Sequence, residues 1–223
     1  MRYSGFTYND LLVLLQGLGV SVALFAATTV IGLALGLAWA TLRYYRTPVL
    51  APLAAALAEL LKNSPVLVQL FLVFFGLPVL LGTDLTPVEA ALITLSGNTA
   101  AFVYVIAVSA IESVGRDQVE TARVFGLTRW QTLRRVVAPQ AAAFGFGPLT
   151  GLLINQLQVT SLISVIGVTD LTKVGAILNV RTLEPFIVWA VIGVLYYLMA
   201  RLIARVCARA ELRLRAHSQW KGF

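Results

Sequence analysis

Long apolar runs dominate the pattern of the chain. Five segments carry enough apolar residues to cross a membrane as helices: residues 11–42, 49–81, 86–112, 141–166 and 186–208. One crossing needs about 20 mostly apolar residues, and the first two segments exceed that length, which predicts tilt, an amphipathic entry or a re-entrant piece. The connections are short. We therefore expect a single all-α membrane domain over residues 1–223, a bundle of about five transmembrane helices.

The amino-acid composition indicates that part of the surface of this chain faces lipid rather than water. Of its 223 residues 59% are hydrophobic and 12% are charged, and the mean hydropathy is +0.85. Soluble domains are usually about 45–50% apolar and about 25% charged. The chain has too little polar surface to face water on all sides.

The net charge of +7 does not indicate nucleic-acid binding, because the basic residues collect on one side of the predicted membrane domain. With an odd number of crossings, nearly all basic groups fall on one side, which the positive-inside rule assigns to the cytoplasm. That side holds Arg43, Arg46, Lys62, Arg116, Arg123, Arg129, Arg134, Arg135, Arg201, Arg205, Arg209, Arg213, Arg215 and Lys221. The other side holds Arg2, Lys173 and Arg181. The predicted topology is N-terminus outside and C-terminus in the cytoplasm.

Few residues in this sequence could serve as catalytic groups. The chain has one histidine and one cysteine, no P-loop and no His-Glu-x-x-His motif, so we expect no enzyme activity, metal or cofactor. An ATP-independent secondary transporter or channel is an alternative. That mechanism needs a coupling carboxylate in mid-membrane, and no acidic residue is expected there.

The one long polar segment, residues 114–140, predicts two short helices. Asp117 and Glu120 are a capping pair for the first, and Gly126 supplies the left-handed turn that stops it. Thr128 and Gln131 form a capping box that starts a second helix, residues 129–138.

Pro139 is expected to end that second helix and to redirect the chain into the fourth span. Trp130, Leu133 and Val137 fall on one face of it. A short isolated helix cannot bury such a stripe alone. The stripe needs either the rest of this chain or a partner protein.

This segment resembles the EAA loop of ATP-binding cassette (ABC) importer permeases. The family pattern is Glu-Ala-Ala, three residues, Gly, nine residues, Ile-x-Leu-Pro, and Glu120, Ala122, Gly126 and Pro139 match it at the same spacing. The resemblance implies a coupling helix that docks into a groove of a separate ATPase subunit. The coupling residues it implies are Glu120, Ala122, Gly126, Thr128, Trp130, Leu133 and Pro139.

The resemblance covers almost the whole chain and is strongest to permeases for polar amino acids. Residues 61–71, Leu-Lys-Asn-Ser-Pro-Val-Leu-Val-Gln-Leu-Phe, and the later Thr160-Ser161-Leu162 are similar to stretches of that group. It implies the type I importer permease fold in a bacterial inner membrane and transport of a polar amino acid or similar small solute. It also implies a second permease in a homo- or heterodimer, two ATPases and a periplasmic substrate-binding protein.

The sequence departs from that group where the group carries charge. Val105, Val108 and Gln158 are neutral at positions that are charged in related permeases, so the substrate is bound differently or a partner permease carries more of the site. The polar residues predicted to line the path are Asn98, Gln156, Gln158, Thr160 and Ser161. Hydrogen bonding between spans is the alternative role for each of them.

Overall fold

The computed structural model describes the backbone of residues 5–219 and the side chains up to Leu212. The predicted basic groups Arg2, Arg213, Arg215 and Lys221 lie outside the described side chains. The described residues form only helices: α1 (Tyr8–Tyr45), α2 (Leu50–Lys62), α3 (Val66–Leu81), α4 (Pro87–Glu112), α5 (Arg116–Val124), α6 (Arg129–Ile166), α7 (Leu171–Thr182) and α8 (Pro185–Gln219).

Four of these helices, α1, α4, α6 and α8, are long and apolar enough to cross a membrane. Helices α2 and α3 meet the same test only as a pair, and they are bent by 107° at the break between them. Counting the pair as one span brings the number of candidate crossings to five. The prediction of an all-α membrane bundle is confirmed, and the long second segment is a sharply bent pair of helices, either a broken span or a re-entrant loop.

The bend between α2 and α3 is held by side-chain amides. Pro65 is the last residue of the break, and a proline disfavours helical backbone in the residue before it. The Nε2 group of Gln69 donates to the Leu61 carbonyl at 2.6 Å and to Ser64 Oγ at 2.9 Å. The Nδ2 group of Asn98 on α4 donates to the same Leu61 carbonyl at 3.3 Å. Carbonyls freed at the end of α2 are thereby satisfied inside the bundle.

Helix α4 forms the centre of the bundle, and α1 packs along it at glycine positions. A Cβ atom at Gly32 would lie 2.5 Å from Thr99 Cβ, and one at Gly36 would lie 2.6 Å from the Ala100 carbonyl oxygen. Small residues let two membrane helices approach this closely.

Replacing Gly36 with valine should therefore destabilise the bundle. Inserting methyl groups into a packed site costs about 1–3 kcal/mol, so the thermal unfolding midpoint in detergent should fall by several degrees. Gly19 on the same helix has no atom within 4 Å of the position its Cβ would take, and Gly19→Val is the matched control. Equal midpoints for the two variants would contradict the close α1–α4 packing.

Two helices contain a wide π turn just before a proline. The turn in α3 covers Leu72–Gly76 ahead of Pro78, and that in α6 covers Leu133–Val137 ahead of Pro139. A proline ring clashes with the carbonyl four residues earlier, and one extra residue in the turn relieves that clash. The expectation that Pro139 ends a short helix is therefore wrong, because α6 continues through it to Ile166.

The two ends of the bundle differ in charge. At the end that carries α5, here called the basic end because Arg43, Arg123, Arg134 and Arg135 lie there, the last turn of α1 meets α5 and the start of α6. At the opposite end α7 packs against the start of α1, where Arg181 donates to the buried carboxylate of Asp10. The Phe6 amide also donates to Glu184 Oε2 at 2.9 Å, which ties the beginning of the chain to the start of α8.

Candidate functional site

The polar segment is anchored to its own chain through the first turns of α6. Leu133 and Val137 are 8% and 1% exposed and pack with Ala110 and Val114, and Tyr44 and Tyr45 of α1 cover the cluster. The stripe predicted on the second helix is thus divided. Leu133 and Val137 are buried within this chain, whereas Trp130 remains 57% exposed.

Helix α5 turns one face to the bundle and the other outward. Ala122 is buried and Glu120 is exposed. The helix begins at Arg116 after Gly115, without a side-chain cap. The predicted capping pair of Asp117 and Glu120 is therefore wrong, and the Glu120 carboxylate projects from the middle of the helix.

The turn after α5 is a glycine-dependent helix stop. Gly126 has φ +74°, its amide donates to the Arg123 carbonyl at 2.9 Å, and the Leu127 amide donates to the Ala122 carbonyl at 3.1 Å. These two bonds form a Schellman motif, which places a left-handed residue at this position. The predicted stop at Gly126 is confirmed.

The start of α6 is capped as the sequence predicts. The Thr128 amide donates to Gln131 Oε1 at 2.9 Å, and the Gln131 amide donates to Thr128 Oγ1 at 3.2 Å. This reciprocal capping box satisfies two amides that would otherwise lack partners. The turn between α5 and α6 therefore has a glycine-terminated helix before it and a capped helix after it.

Large apolar side chains project outward around this turn. Val124 is 86% exposed and Phe125 is 77% exposed, and Trp130 follows on α6. We call these three residues with Glu120 the docking edge. The sequence reasoning missed Val124 and Phe125, although two apolar residues just before the glycine of a polar helix were a readable signal.

Three of the predicted path residues are buried with their polar groups satisfied. The Gln156 Nε2 group donates to Thr28 Oγ1 at 3.0 Å, and Thr160 Oγ1 donates to the Leu157 carbonyl at 2.7 Å. The amide of Asn98 serves the α2–α3 bend described above. In this arrangement the amides of Gln156 and Asn98 join helices to one another, and the Thr160 hydroxyl bonds within α6.

Gln158 and Ser161 differ from the other predicted path residues because they are more accessible. Gln158 is exposed and Ser161 is partly exposed. Gln158 continues an exposed row on α6 that begins with Gly147 and Gly151 and includes Asn155. Neither glycine has an atom within 4 Å of the position a Cβ would take. We call Gly147, Gly151, Asn155 and Gln158 the α6 outer face.

An unexpected carboxylate lies inside the bundle. Asp170, in the link between α6 and α7, is 0% exposed, and the neighbouring Leu171 amide donates to Ser21 Oγ at 3.2 Å. Ser21 lies about 20 Å along α1. Asp170 is enclosed because α7 folds back against α1, and it lies outside the helices long and apolar enough to cross a membrane. One Asp170 oxygen caps α7 by accepting from the Lys173 amide at 2.8 Å.

These features together define a class of protein. A helical bundle of up to five candidate membrane crossings, with a capped and exposed turn at its basic end, is an integral membrane protein of the all-α class. The chain belongs to the family described as binding-protein-dependent transport system inner membrane component, whose model matches residues 29–210.

Named relatives support this membership over most of their length. The L-cystine transport system permease protein TcyL of Bacillus subtilis is 31% identical over 204 residues, 89% of this chain and 85% of the relative. The glutamine transport system permease protein GlnP of Escherichia coli is 30% identical over 202 residues, 89% of each chain.

Solved structures show the same fold. A chain in the crystal structure of an amino acid ABC transporter with histidines has a TM-score of 0.84 and 26% identity, covering 94% of this chain and 100% of the other. A chain of the inward-facing MetNI methionine ABC transporter has a TM-score of 0.79 and 20% identity, covering 94% of this chain and 99% of the other. The type I importer permease fold is confirmed, and the chain is the membrane-spanning subunit of an ABC importer.

Proposed function

We propose that this permease carries a polar amino acid, or a solute of similar size and polarity, across the bacterial inner membrane. The glutamine and cystine permeases among its relatives support that substrate class. The observation that carries the proposal is the α6 outer face, where Asn155 and Gln158 are exposed on a membrane-spanning helix. Amide side chains facing hydrocarbon are costly, so this face needs polar surroundings.

A second permease supplies those surroundings in our proposal. Gly147 and Gly151 lie four residues apart on the α6 outer face with open space above them, which is the small-residue spacing that lets two helices approach closely. Pairing along this face would bring two sets of amides to one polar path. Either a homodimer or a heterodimer fits this surface.

Within this path Gln158 and Ser161 are the groups proposed to meet the solute. The wall of the path is proposed to be stabilised by Asn98, Gln156 and Thr160. Their amides and hydroxyl are already hydrogen-bonded within the bundle. Val105 and Val108 are partly buried and carry no charge. A solute recognised by neutral hydrogen bonding, or by charged groups of a partner permease, agrees with this lining.

The docking edge is proposed to bind a separate ATPase subunit. Phe125 and Trp130 are aromatic anchors of the kind that dominate protein interfaces, and Glu120 adds a charge beside them. Ala122 and Leu133 hold the segment on its own chain, while Gly126 and Thr128 set the angle of the turn. Pro139, with its π turn, joins the segment to the membrane-spanning part of α6.

Helix α6 is the proposed link between ATP and solute. One continuous helix carries Trp130 at the docking edge and Gln158 on the α6 outer face, separated by about 42 Å of helix. When the ATPases close on ATP, the docking edge would move with them and α6 would shift as a unit. The permeases would then pass from inward-open to outward-open.

The proposed orientation follows from the charge of the two ends. The basic end faces the cytoplasm, where the ATPases bind, and the N-terminus lies on the periplasmic side. A periplasmic binding protein would deliver the solute to the end where Asp10 and Arg181 meet.

Replacing Gln158 with alanine tests the path. We expect altered or strongly reduced uptake in liposomes containing the whole importer, with unchanged ATPase association, because the amide meets the solute. Gln156→Ala is the contrasting variant. It should lower stability by about 1 kcal/mol, because the buried bond that the Gln156 amide donates to Thr28 Oγ1 is lost, while the Thr28 hydroxyl keeps its own bond to the Leu24 carbonyl. If Gln158→Ala leaves uptake unchanged across a panel of amino acids, Gln158 does not contact the solute and has only a packing role.

A further inference from the structure

An apolar groove runs along the outside of the bundle between α1, α4 and α6. It has a volume of about 560 Å³ and starts beside Trp130 and Arg134 at the basic end. It continues along α6 as far as Leu149, opposite Leu33 of α1. Its floor is made largely of small side chains, namely Ala107, Ala110, Ala138, Ala141, Ala142 and Gly145. The groove is separate from the α6 outer face and from the docking edge, except at Trp130.

The length of the groove corresponds to one leaflet of a bilayer. From Arg134 to Leu149 the helix rises about 22 Å. Half of a bilayer including its headgroups is about 20–22 Å thick. If Arg134 lies at the headgroup level, Leu149 reaches the middle of the membrane. Trp130 at the mouth fits that placement, because tryptophan is enriched at membrane interfaces.

The charge at the mouth selects the kind of molecule that fits. Arg134 lines the groove and is exposed. It forms no salt bridge with an acidic residue among the described side chains. A basic group at the mouth of an apolar groove between membrane helices is suited to an anionic lipid headgroup.

The narrow apolar groove suits a lipid chain better than a segment of a soluble partner. A flexible hydrocarbon chain can fill a narrow space of this kind, and a water-soluble ATPase cannot follow it to mid-membrane depth.

We propose that the groove between α1, α4 and α6 binds one acyl chain of an anionic phospholipid, whose phosphate is held by Arg134. The lipid fills the space beside the small residues of α6 and thereby supports the first membrane turns of that helix. This proposal does not depend on the solute or on the function of the docking edge.

The test compares phosphatidylglycerol with phosphatidylcholine of the same acyl chains, added to the purified full-length permease. Retained lipid is counted by native mass spectrometry, and the unfolding midpoint is recorded for each lipid. For the unaltered chain we expect preferential retention of phosphatidylglycerol and a higher midpoint with it. Equal retention of the two lipids would overturn the role of Arg134.

Two variants separate the headgroup from the groove. Arg134→Gln should weaken phosphatidylglycerol retention about five-fold, the equivalent of about 1 kcal/mol for one basic group near a headgroup. The matched control is Arg135→Gln, since Arg135 does not line the groove. Ala142→Leu fills the floor from an exposed position and should lower retention of both lipids.

The remaining outcomes would overturn the proposal. If Ala142→Leu leaves the retention of both lipids unchanged, no acyl chain occupies the groove. If it instead converts a dimer to a monomer in size-exclusion chromatography without changing lipid retention, the groove belongs to contact between two permeases. Circular dichroism of each variant establishes that the helices are intact before either conclusion is drawn.

Discussion

Replacing Phe125 with aspartate is expected to abolish association of the permease with its ATPase while leaving the permease folded in the membrane. Phe125 is 77% exposed at the docking edge, so little of its ring packs against its own chain. In the proposed complex its ring is buried, so the aspartate would lose that contact and place an unpaired charge in the interface. Losing an aromatic anchor costs about 2–4 kcal/mol at a protein interface, which lowers affinity by roughly 30-fold to 1,000-fold.

The measurement is recovery of the ATPase with an affinity-tagged permease. Val180→Asp is the matched control, because Val180 is 76% exposed and lies on α7 at the opposite end. The control should retain the ATPase as the unaltered chain does. Full recovery and full uptake with Phe125→Asp would remove the docking edge from the ATPase interface.

Replacing Gly126 with valine is expected to uncouple uptake from ATP hydrolysis. Gly126 has φ +74°, and no atom lies within 4 Å of the position its Cβ would take, so the cost comes from the backbone alone. A left-handed conformation costs a residue with a Cβ about 1–2 kcal/mol, and a β-branched side chain is especially unsuited to it. The turn would reopen and move Phe125 relative to Leu133, which stays anchored in the bundle.

The control for this variant is made at the same position. Asparagine tolerates the left-handed region better than other residues with a side chain, so Gly126→Asn should retain most uptake. Membrane insertion should be normal for both variants, since a Cβ at position 126 would meet no neighbouring atom within 4 Å. If Gly126→Val retains both normal uptake and normal stimulated ATPase activity, the turn does not transmit motion.

Phe125→Asp and Gly126→Val should give different results because the docking edge is rigidly attached to the membrane helices. Leu133 and Val137 are buried against Val114 and the end of α1, so the second half of the segment moves with the membrane helices. The Gly126 turn is the joint in front of that anchor. In the proposed complex, Phe125→Asp removes a contact with the ATPase, whereas Gly126→Val keeps that contact and changes the angle at which Phe125 is presented.

Local chemistry explains which parts of the site were readable from the sequence. The Gly126 stop and the Thr128 capping box depend on residues only a few positions apart, and both predictions are confirmed. Gln158 of the α6 outer face was identified as a polar residue in an apolar span. Which of the polar residues face outward was not readable, because Gln156 and Gln158 differ only in the side of the helix that the neighbouring helices cover.

The sequence by itself determined that this chain is a helical membrane protein with a capped polar loop, since hydropathy and helix caps act over short stretches of chain. The tertiary structure decided the rest. Burial of Leu133, the continuation of α6 through Pro139 and the enclosure of Asp170 against α1 each depend on contacts between residues far apart in the chain. Hydropathy reports only that a segment prefers an apolar environment, and helix packing decides whether lipid or protein provides it.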